Sequence, residues 1–152
     1  MAPGPDAPTW SEHATEQLAA AGYRRGGART AVLELLGRQG CAVSALEIET
    51  ALEHSGRRVA RASIYRVLEE LEQLRLISRV EVGQGIARFE PAHRHGGGHH
   101  HHHLVCDRCG DLVPFADEAL EKAIVKVASR LEFAVSDHDI TLRGACRSCQ
   151  PG

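Results

Sequence analysis

Two Cys-x-x-Cys pairs constrain the fold of this 152-residue chain more than any other feature. The first pair, Cys106 and Cys109, follows a run of five histidines at residues 99–103, and the second pair is Cys146 and Cys149. One such turn lets two thiolates chelate an ion, and two turns complete the tetrahedral sulfur shell that zinc favours in closed structural sites. The spacing therefore predicts a structural zinc ion that staples a small domain. Two disulfides or a redox pair are the alternative.

The histidine run offers nitrogen ligands on both sides of an extended segment. Side chains alternate along a strand, so His100 and His102 should point one way and His101 and His103 the other. One run can therefore serve two ions. A purification tag is one alternative, but this run leads directly into an apolar segment and the first cysteine pair. A flexible metal-scavenging loop, which would include the preceding glycines, is another alternative.

Cysteine usage and the absence of apolar runs indicate the compartment. Four of the five cysteines have metal-ligand spacing, which favours a reducing environment. The first ten residues have no apolar core of the kind found in signal peptides, and no long apolar run follows them. We therefore expect a cytoplasmic protein without a membrane partner.

Arginine is concentrated in the first half of the chain. Residues 22–66 contain eight arginines and four glutamates, a local charge of +4, although the whole chain has a net charge of −2. Arginine makes bidentate contacts with phosphates and with guanine edges. This local excess is compatible with a nucleic-acid surface, although a solvated helix face would have a similar composition.

Residues 11–91 are predicted to form helices followed by a hairpin. Apolar periodicity predicts four helices, over residues 11–21, 28–38, 44–54 and about 60–74. Ser11 is the expected cap of the first helix, and Ser44 with Glu47 forms a capping box for the third. Alternating runs over residues 77–82 and 86–90, joined by a Gly-Gln-Gly turn, then predict a hairpin.

Helices followed by such a hairpin predict a winged helix-turn-helix domain. In that fold, the second helix of the turn enters the major groove of DNA. The apolar stripe of the fourth helix leaves Tyr65 and Arg66 on its exposed side, near its start. The alternative is a small α+β domain without a role in DNA binding.

A change of composition at residues 92–98, rich in glycine and histidine, marks a hinge loop. The remainder predicts strands over residues 104–105, 112–115 and 133–144, and an amphipathic helix over residues 116–131. A small β-rich domain has exposed edges and a meagre core, so we expect it to form a homodimer.

The predicted fold class is α+β. An N-terminal winged helix-turn-helix domain precedes a small α/β zinc-stapled dimerisation domain. The predicted segments are a disordered N-terminus (residues 1–10), the winged-helix DNA-binding domain (11–91), the hinge loop (92–98) and the metal-binding dimerisation domain (99–152).

Several short motifs occur in a characteristic order. They are residues 22–29, Val43-Ser44-Ala45-Leu46-Glu47-Ile48, Ala62-Ser63-Ile64-Tyr65-Arg66-Val67-Leu68, the histidines before Leu104-Val105-Cys106, Cys109-Gly110, His138-Asp139-Ile140-Thr141-Leu142 and Gly144-Ala145-Cys146. Together they resemble the ferric uptake regulator family over residues 11–149. The resemblance implies a cytoplasmic homodimer that represses transcription and controls metal homeostasis. Its winged-helix domains would bind double-stranded operator DNA when a metal corepressor is present.

The resemblance also implies three metal sites. The four thiolates would match the structural zinc site of the family. A second site would combine one face of the histidine run with a helix carboxylate and a strand histidine: His100, His102, Glu121 and His138. A third, regulatory site at the hinge would use Glu90, His101 and His103. The alternatives are that His138 is an ordinary inward-facing histidine and that Glu121 is a solvated helix carboxylate.

The chain departs from the family pattern at two positions. Family members often place a histidine just before the Val-Ser-Ala segment, where this chain has Ala42 with Cys41 beside it. As a hypothesis, His93 or His95 supplies the missing donor. Pro114 stands where the peroxide-sensing subgroup carries an acid, which argues against that role.

For DNA contacts, the resemblance points to Arg24, Arg61, Tyr65 and Arg66. The regulatory donors are rich in nitrogen, which favours Zn²⁺ slightly over Fe²⁺, with Mn²⁺ and Ni²⁺ also acceptable. An enzyme is the first rival function, but four thiolates close the zinc shell, and Ala145 stands where zinc deaminases have proline. The second rival is a cytoplasmic metal-storage or metal-chaperone protein that uses the histidine run.

Overall fold

The computed structural model describes residues 9–83, 85–92 and 101–150. The chain divides into an N-terminal unit that ends at Ala92 and a C-terminal unit that begins at His93. The predictions made for the first eight residues, for Gln84 and for the segment 93–100, which includes His93, His95 and His100, lie outside the described residues. Within the described ranges, no helix is long and apolar enough to cross a membrane.

The N-terminal unit combines four helices with a three-stranded sheet. The helices are α1 (Trp10–Ala20), α2 (Gly27–Leu36), α3 (Ala45–His54) and α4 (Arg61–Gln73). The strands are β1 (Val43–Ser44), β2 (Ile77–Glu81) and β3 (Ala87–Pro91). They pair antiparallel in the order β1-β3-β2. Helices α3 and α4 form the helix-turn-helix and β2 and β3 the wing, as the sequence predicted.

An apolar stripe on α4 holds the helix-turn-helix together. Its members pack in one core with side chains of α1, α2 and α3 and are almost fully buried: Ile64, Val67, Leu68 and Leu71. Complete burial of such a side chain contributes roughly 1.5–3 kcal/mol. The stripe therefore fixes the rotation of α4, which leaves Tyr65 49% exposed and Arg66 exposed.

The start of α1 differs from the prediction. Its cap is Thr9 rather than Ser11, because Thr9 Oγ1 accepts the backbone N–H of Glu12 at 3.3 Å while the Glu12 carboxylate accepts the Thr9 N–H at 2.7 Å. This reciprocal pair satisfies two backbone donors, whereas a serine cap satisfies one. Trp10 donates its Nε1–H to the Leu76 carbonyl at 2.9 Å. Thr9 and Trp10 therefore belong to the folded unit and not to the predicted disordered N-terminus.

The predicted capping box of α3 is confirmed, with reciprocal bonds between Ser44 and Glu47. Sequence reasoning missed the two-residue strand β1, which contains the same serine. Its pairing with β3 aligns Val43 with Phe89 and Ser44 with Arg88. Two residues are too few to show an alternation of apolar and polar side chains, so this strand is identified only by its pairing with β3.

The C-terminal unit contains β4 (His102–Cys106), β5 (Leu112–Phe115), α5 (Glu118–Arg130) and β6 (Thr141–Gly144). Strand β4 lies in the middle of the sheet, antiparallel to β5 and parallel to β6. Helix α5 is shorter than predicted, because the side chain of Asp117 caps it by accepting the Leu120 N–H at 2.8 Å.

The prediction of a long final strand over residues 133–144 is wrong for residues 133–140. Only Thr141–Gly144 pairs with β4. The carboxylate of Asp137 accepts the backbone N–H of His138 at 2.9 Å, so that N–H is not available to a neighbouring strand. His138 is therefore not a strand residue, and the inward orientation inferred from strand alternation does not apply to it.

The C-terminal unit buries little apolar surface. Among its described residues, the buried apolar side chains are those of Val105 and Cys106, and α5 contributes none. Large apolar side chains along and after α5 are instead exposed by 45–68%: Val125, Val127, Leu131 and Phe133. A unit this small generally needs a metal ion or a partner subunit for stability.

Candidate metal centres and nucleic-acid interface

The two cysteine turns lie at the same end of the C-terminal sheet. Strand β4 ends at Cys106, and the parallel strand β6 ends at Gly144, which is aligned with Cys106. The chain leaves both strands in the same direction, so the turn that contains Cys109 and the turn that starts at Cys146 meet. Parallel pairing of β4 with β6 is thus what brings residues 40 positions apart into one cluster.

Each turn is closed by backbone hydrogen bonds. The Gly110 N–H donates to the Cys106 carbonyl at 2.9 Å, and the Cys149 N–H donates to the Cys146 carbonyl at 2.8 Å. Gly110 has a φ of +73°, a left-handed conformation that favours glycine. The two turns also contact each other, since the Cys146 N–H donates to Cys106 Sγ at 3.3 Å.

The four sulfur atoms have the spacing of a tetrahedral metal shell. All four lie within 4.8 Å of one another, and Cys109 Sγ is 3.8 Å from Cys146 Sγ. Zinc–sulfur bonds of about 2.3 Å in a tetrahedron place neighbouring sulfurs about 3.8 Å apart, whereas a disulfide holds them at about 2.05 Å. The four thiols are free. The arrangement fits a zinc ion and does not fit two disulfides.

The electrostatic interactions among the four cysteine thiols also favour a bound cation. Backbone N–H groups of Cys146 and Cys109 lower the pKa of Cys106 to about 6. Hydrogen bonds with the thiols of Cys146 and Cys109 raise the pKa of Cys149 to about 12. Sulfurs this close cannot all become thiolates unless a positive ion compensates their charge.

A second group of donors joins β4, α5 and the segment before β6. His102 Nε2 lies 2.7 Å from Glu121 Oε1, and His138 Nε2 lies 3.0 Å from Glu121 Oε2. The two imidazole rings are 5.3 Å apart, and the His102 side chain is fully buried. Two nitrogens and one carboxylate therefore converge on one point, as the resemblance implied. His100, the fourth residue of that predicted set, lies outside the described residues.

The remaining predicted donors occur in both units. In the C-terminal unit, the rings of His101 and His103 lie 5.0 Å apart, and these two histidines belong to a different donor group from His102. In the N-terminal unit, Glu90 on β3 is only 5% exposed, and a carboxylate oxygen lies within 4.8 Å of Cys41 Sγ. Burial raises the pKa of the Cys41 thiol, and the Glu90 carboxylate acts in the same direction. No local pattern in the sequence indicates this proximity of Cys41 and Glu90.

The candidate DNA face lies on the helix-turn-helix. Tyr65 and Arg66 project from α4, and Arg61 and Arg24 are also exposed. Arg61 forms an ion pair with Glu49 of α3 at 2.6 Å, a contact that sequence reasoning missed. The Arg61 side chain is 55% exposed, so exchanging this ion pair for a phosphate contact costs little free energy.

Comparison with known proteins identifies the family. The model of the ferric uptake regulator family matches residues 20–143. The chain belongs to the ferric uptake regulator family. The resemblance noted in the sequence is thereby confirmed. This chain is 36% identical over 139 residues to the ferric uptake regulation protein of Legionella pneumophila, and the match covers 90% of this chain and 98% of that protein.

Solved structures confirm the fold class. The Helicobacter pylori ferric uptake regulator, whose structure is described as having three functional metal-binding sites, matches with a TM-score of 0.76 and 26% identity. The match covers 94% of this chain and 93% of that one. The Vibrio cholerae regulator matches with a TM-score of 0.71 and 29% identity, over 87% and 98% of the two chains. Membership makes the chain a metal-responsive transcriptional regulator from a family of metal-binding repressors, rather than of enzymes.

Proposed function

We propose that this chain is a homodimeric, metal-dependent repressor that controls metal homeostasis in the cytoplasm. Its binding to double-stranded operator DNA would be switched by a regulatory divalent ion. The observation that carries the proposal is the position of metal donors at both ends of β4, with Cys106 at one end and His102 and His103 at the other. Strand β4 thus combines a closed sulfur site with nitrogen donors suited to sensing.

The two sites of the C-terminal unit have different roles in this proposal. Cys106, Cys109, Cys146 and Cys149 hold a structural Zn²⁺, because four thiolates leave no open coordination position. His102, Glu121 and His138 form a second site, with His100 as a further ligand. The carboxylate of Glu121, now hydrogen-bonded between two imidazoles, would turn its oxygens towards the ion.

The regulatory ion is held by Glu90, His101 and His103 in this proposal. Glu90 is supported by its position on the wing strand β3 and by its burial, since a buried carboxylate is stabilised by a cation. His101 and His103 are supported by their adjacent rings. An ion bound to donors from both units favours one arrangement of the units over others, so ion affinity and operator affinity rise together.

Zinc is the favoured regulatory metal, slightly ahead of iron. The donors are imidazole nitrogens and a carboxylate, which also accept Fe²⁺, Mn²⁺ and Ni²⁺. The deciding experiment is an operator-binding titration of the protein that retains only its tightly bound zinc, with each of the four metals in turn and total bound metal counted in parallel. Failure of all four metals to raise operator affinity would contradict the proposal.

Replacing His103 with alanine should abolish the metal dependence of operator binding. The expected loss is about 5–150-fold in affinity at saturating metal, the range of typical coupling free energies between two sites. His13 on α1 provides the control, since His13→Ala removes an imidazole distant in sequence from every proposed donor. Unchanged metal stimulation in His103→Ala, measured by fluorescence anisotropy with labelled operator, would remove His103 from the regulatory site.

The DNA contacts are assigned in this proposal to Arg24, Arg61, Tyr65 and Arg66. Tyr65 and Arg66 are supported by their exposure on α4, the second helix of the turn, which enters the major groove in this fold. Arg61 and Arg24 would contact phosphates and fix the register of the protein on the duplex.

Arg66→Ala should weaken operator binding by about 1–3 kcal/mol, because a bidentate contact with a base edge would be lost. Arg66→Lys is the matched variant, since lysine keeps the charge but not the planar fork. If both variants discriminate poorly between operator and random DNA, Arg66 contacts a base edge. An equal loss on both DNAs for alanine, with recovery by lysine, would instead assign Arg66 to a phosphate.

A further inference from the structure

One cysteine lies outside the four-sulfur cluster and beside a proposed regulatory ligand. Cys41 is found in the N-terminal unit, two residues before β1. The antiparallel register aligns Val43 with Phe89, so the chain that precedes β1 runs alongside Glu90. A ligand atom of each residue lies within 4.8 Å of the other, although 48 residues separate them in sequence.

The surroundings of Cys41 suit a metal ligand better than a core residue. A free cysteine that serves only packing behaves as a small apolar side chain and is usually fully buried. Cys41 is half-buried, and it faces a carboxylate that is itself 95% buried. A sulfur and a buried carboxylate oxygen side by side make a two-donor half-site for a divalent cation.

We propose that the thiolate of Cys41 binds the regulatory ion together with Glu90. The inference rests on the proposed function, because it takes Glu90 as a ligand of that ion. Binding exchanges the S–H proton for a sulfur–metal bond, and the proton is released to solvent with no change of oxidation state. Cys41 thereby fills the position left open by Ala42, and neither His93 nor His95 is required.

A sulfur ligand changes the selectivity of the regulatory site. Nitrogen and oxygen donors alone accept several divalent ions, whereas thiolate favours zinc and disfavours the harder ion Mn²⁺. Cys41 therefore makes the site selective for zinc, which the imidazoles and Glu90 cannot do alone. Cys41→Ser keeps the size of the side chain but replaces sulfur with oxygen, so this variant should lose much of its preference for Zn²⁺ over Mn²⁺.

Cobalt(II) provides a direct test on the full-length protein. The four-cysteine site is kept filled with zinc, which is spectroscopically silent, and Co²⁺ is added to the remaining sites. Thiolate-bound Co²⁺ gives a charge-transfer absorption in the near ultraviolet, and we expect this band in the parent and its loss in Cys41→Ser and Cys41→Ala. Tightly bound zinc is counted in each sample, so that exchange at the four cysteines is detected.

One further variant separates the outcomes. His103→Ala should reduce the visible ligand-field absorption of Co²⁺ and the metal dependence of operator binding. If the parent lacks the near-ultraviolet band while His103→Ala still loses metal-dependent DNA binding, Cys41 is not a ligand and the proposed function stands. If His103→Ala keeps metal-dependent DNA binding, the proposed regulatory site itself is overturned. Persistence of the band in Cys41→Ser also rules out Cys41.

Discussion

Replacing Cys109 with serine should release the proposed structural zinc ion and unfold the C-terminal unit. Structural zinc contributes about 10–16 kcal/mol of apparent binding free energy in small zinc-dependent domains. The described part of this unit buries the apolar side chains of Val105 and Cys106 and no apolar residue of α5, so it has no core that could compensate. Elemental analysis after exposure to a chelator should show one zinc fewer per chain. Circular dichroism should show loss of the helix signal of α5.

The N-terminal unit should remain folded in that variant, because it has a separate core of side chains from α1 to α4, β2 and β3. Cys41→Ser is the matched control, since it removes a thiol from that unit and should leave the chelator-resistant zinc unchanged. A Cys109→Ser protein that keeps its zinc and a cooperative transition for the C-terminal unit would contradict the structural role of the sulfur cluster.

Introducing two glutamates into the apolar stripe of α5 should convert the proposed homodimer into monomers. This stripe consists of Leu120, Ile124, Val127 and the C-cap residue Leu131. Val127 and Leu131 lie one turn apart on it and are 45% and 66% exposed in the single chain. A partner subunit that covers them would bury two unpaired carboxylates in the double variant Val127→Glu/Leu131→Glu, at a cost of several kcal/mol. Analytical ultracentrifugation should report a monomer. Operator affinity should fall by about 10²–10⁴-fold, because two half-sites are no longer bound by one linked molecule.

The double variant Val125→Glu/Ser129→Glu is the control, since it adds the same two charges on the opposite side of α5. Both of these residues are exposed. The control should remain dimeric and bind its operator as the parent does. If both double variants dissociate to the same extent, added charge rather than the apolar stripe is responsible. If neither does, the subunits associate through another surface.

Local sequence signals predicted those elements that local forces determine. The capping box of Ser44 and Glu47 marked the start of α3, and the apolar period of α4 identified both its buried stripe and its exposed Tyr65 and Arg66. The prediction was wrong at α1, where Thr9 and Glu12 form the capping box and Ser11 is not the cap. It also failed over residues 133–140, where alternation suggested a strand but the Asp137 side chain bonds to the backbone.

The candidate site was predictable from sequence only in part, because sequence gives the donor types but not their non-local partners. Cysteine spacing was sufficient to predict a four-sulfur site, and the resemblance to a family connected His102 with Glu121 and His138. The proximity of Cys41 to Glu90 depends on the register between β1 and β3. No local pattern in a two-residue strand specifies that register.

Strand β4 is only five residues long, yet it connects the sulfur cluster with the imidazoles of His102 and His103. In the proposed function, an ion bound at Cys106 would hold this end of the strand against β6, with which it is aligned, and so would set the positions of both imidazoles before a second ion arrives. The proposed sites would therefore fill in a fixed sequence, with the sulfur site first. A cell that runs short of metal would empty the histidine donors while the scaffold stays folded, so repression can return without synthesis of new protein.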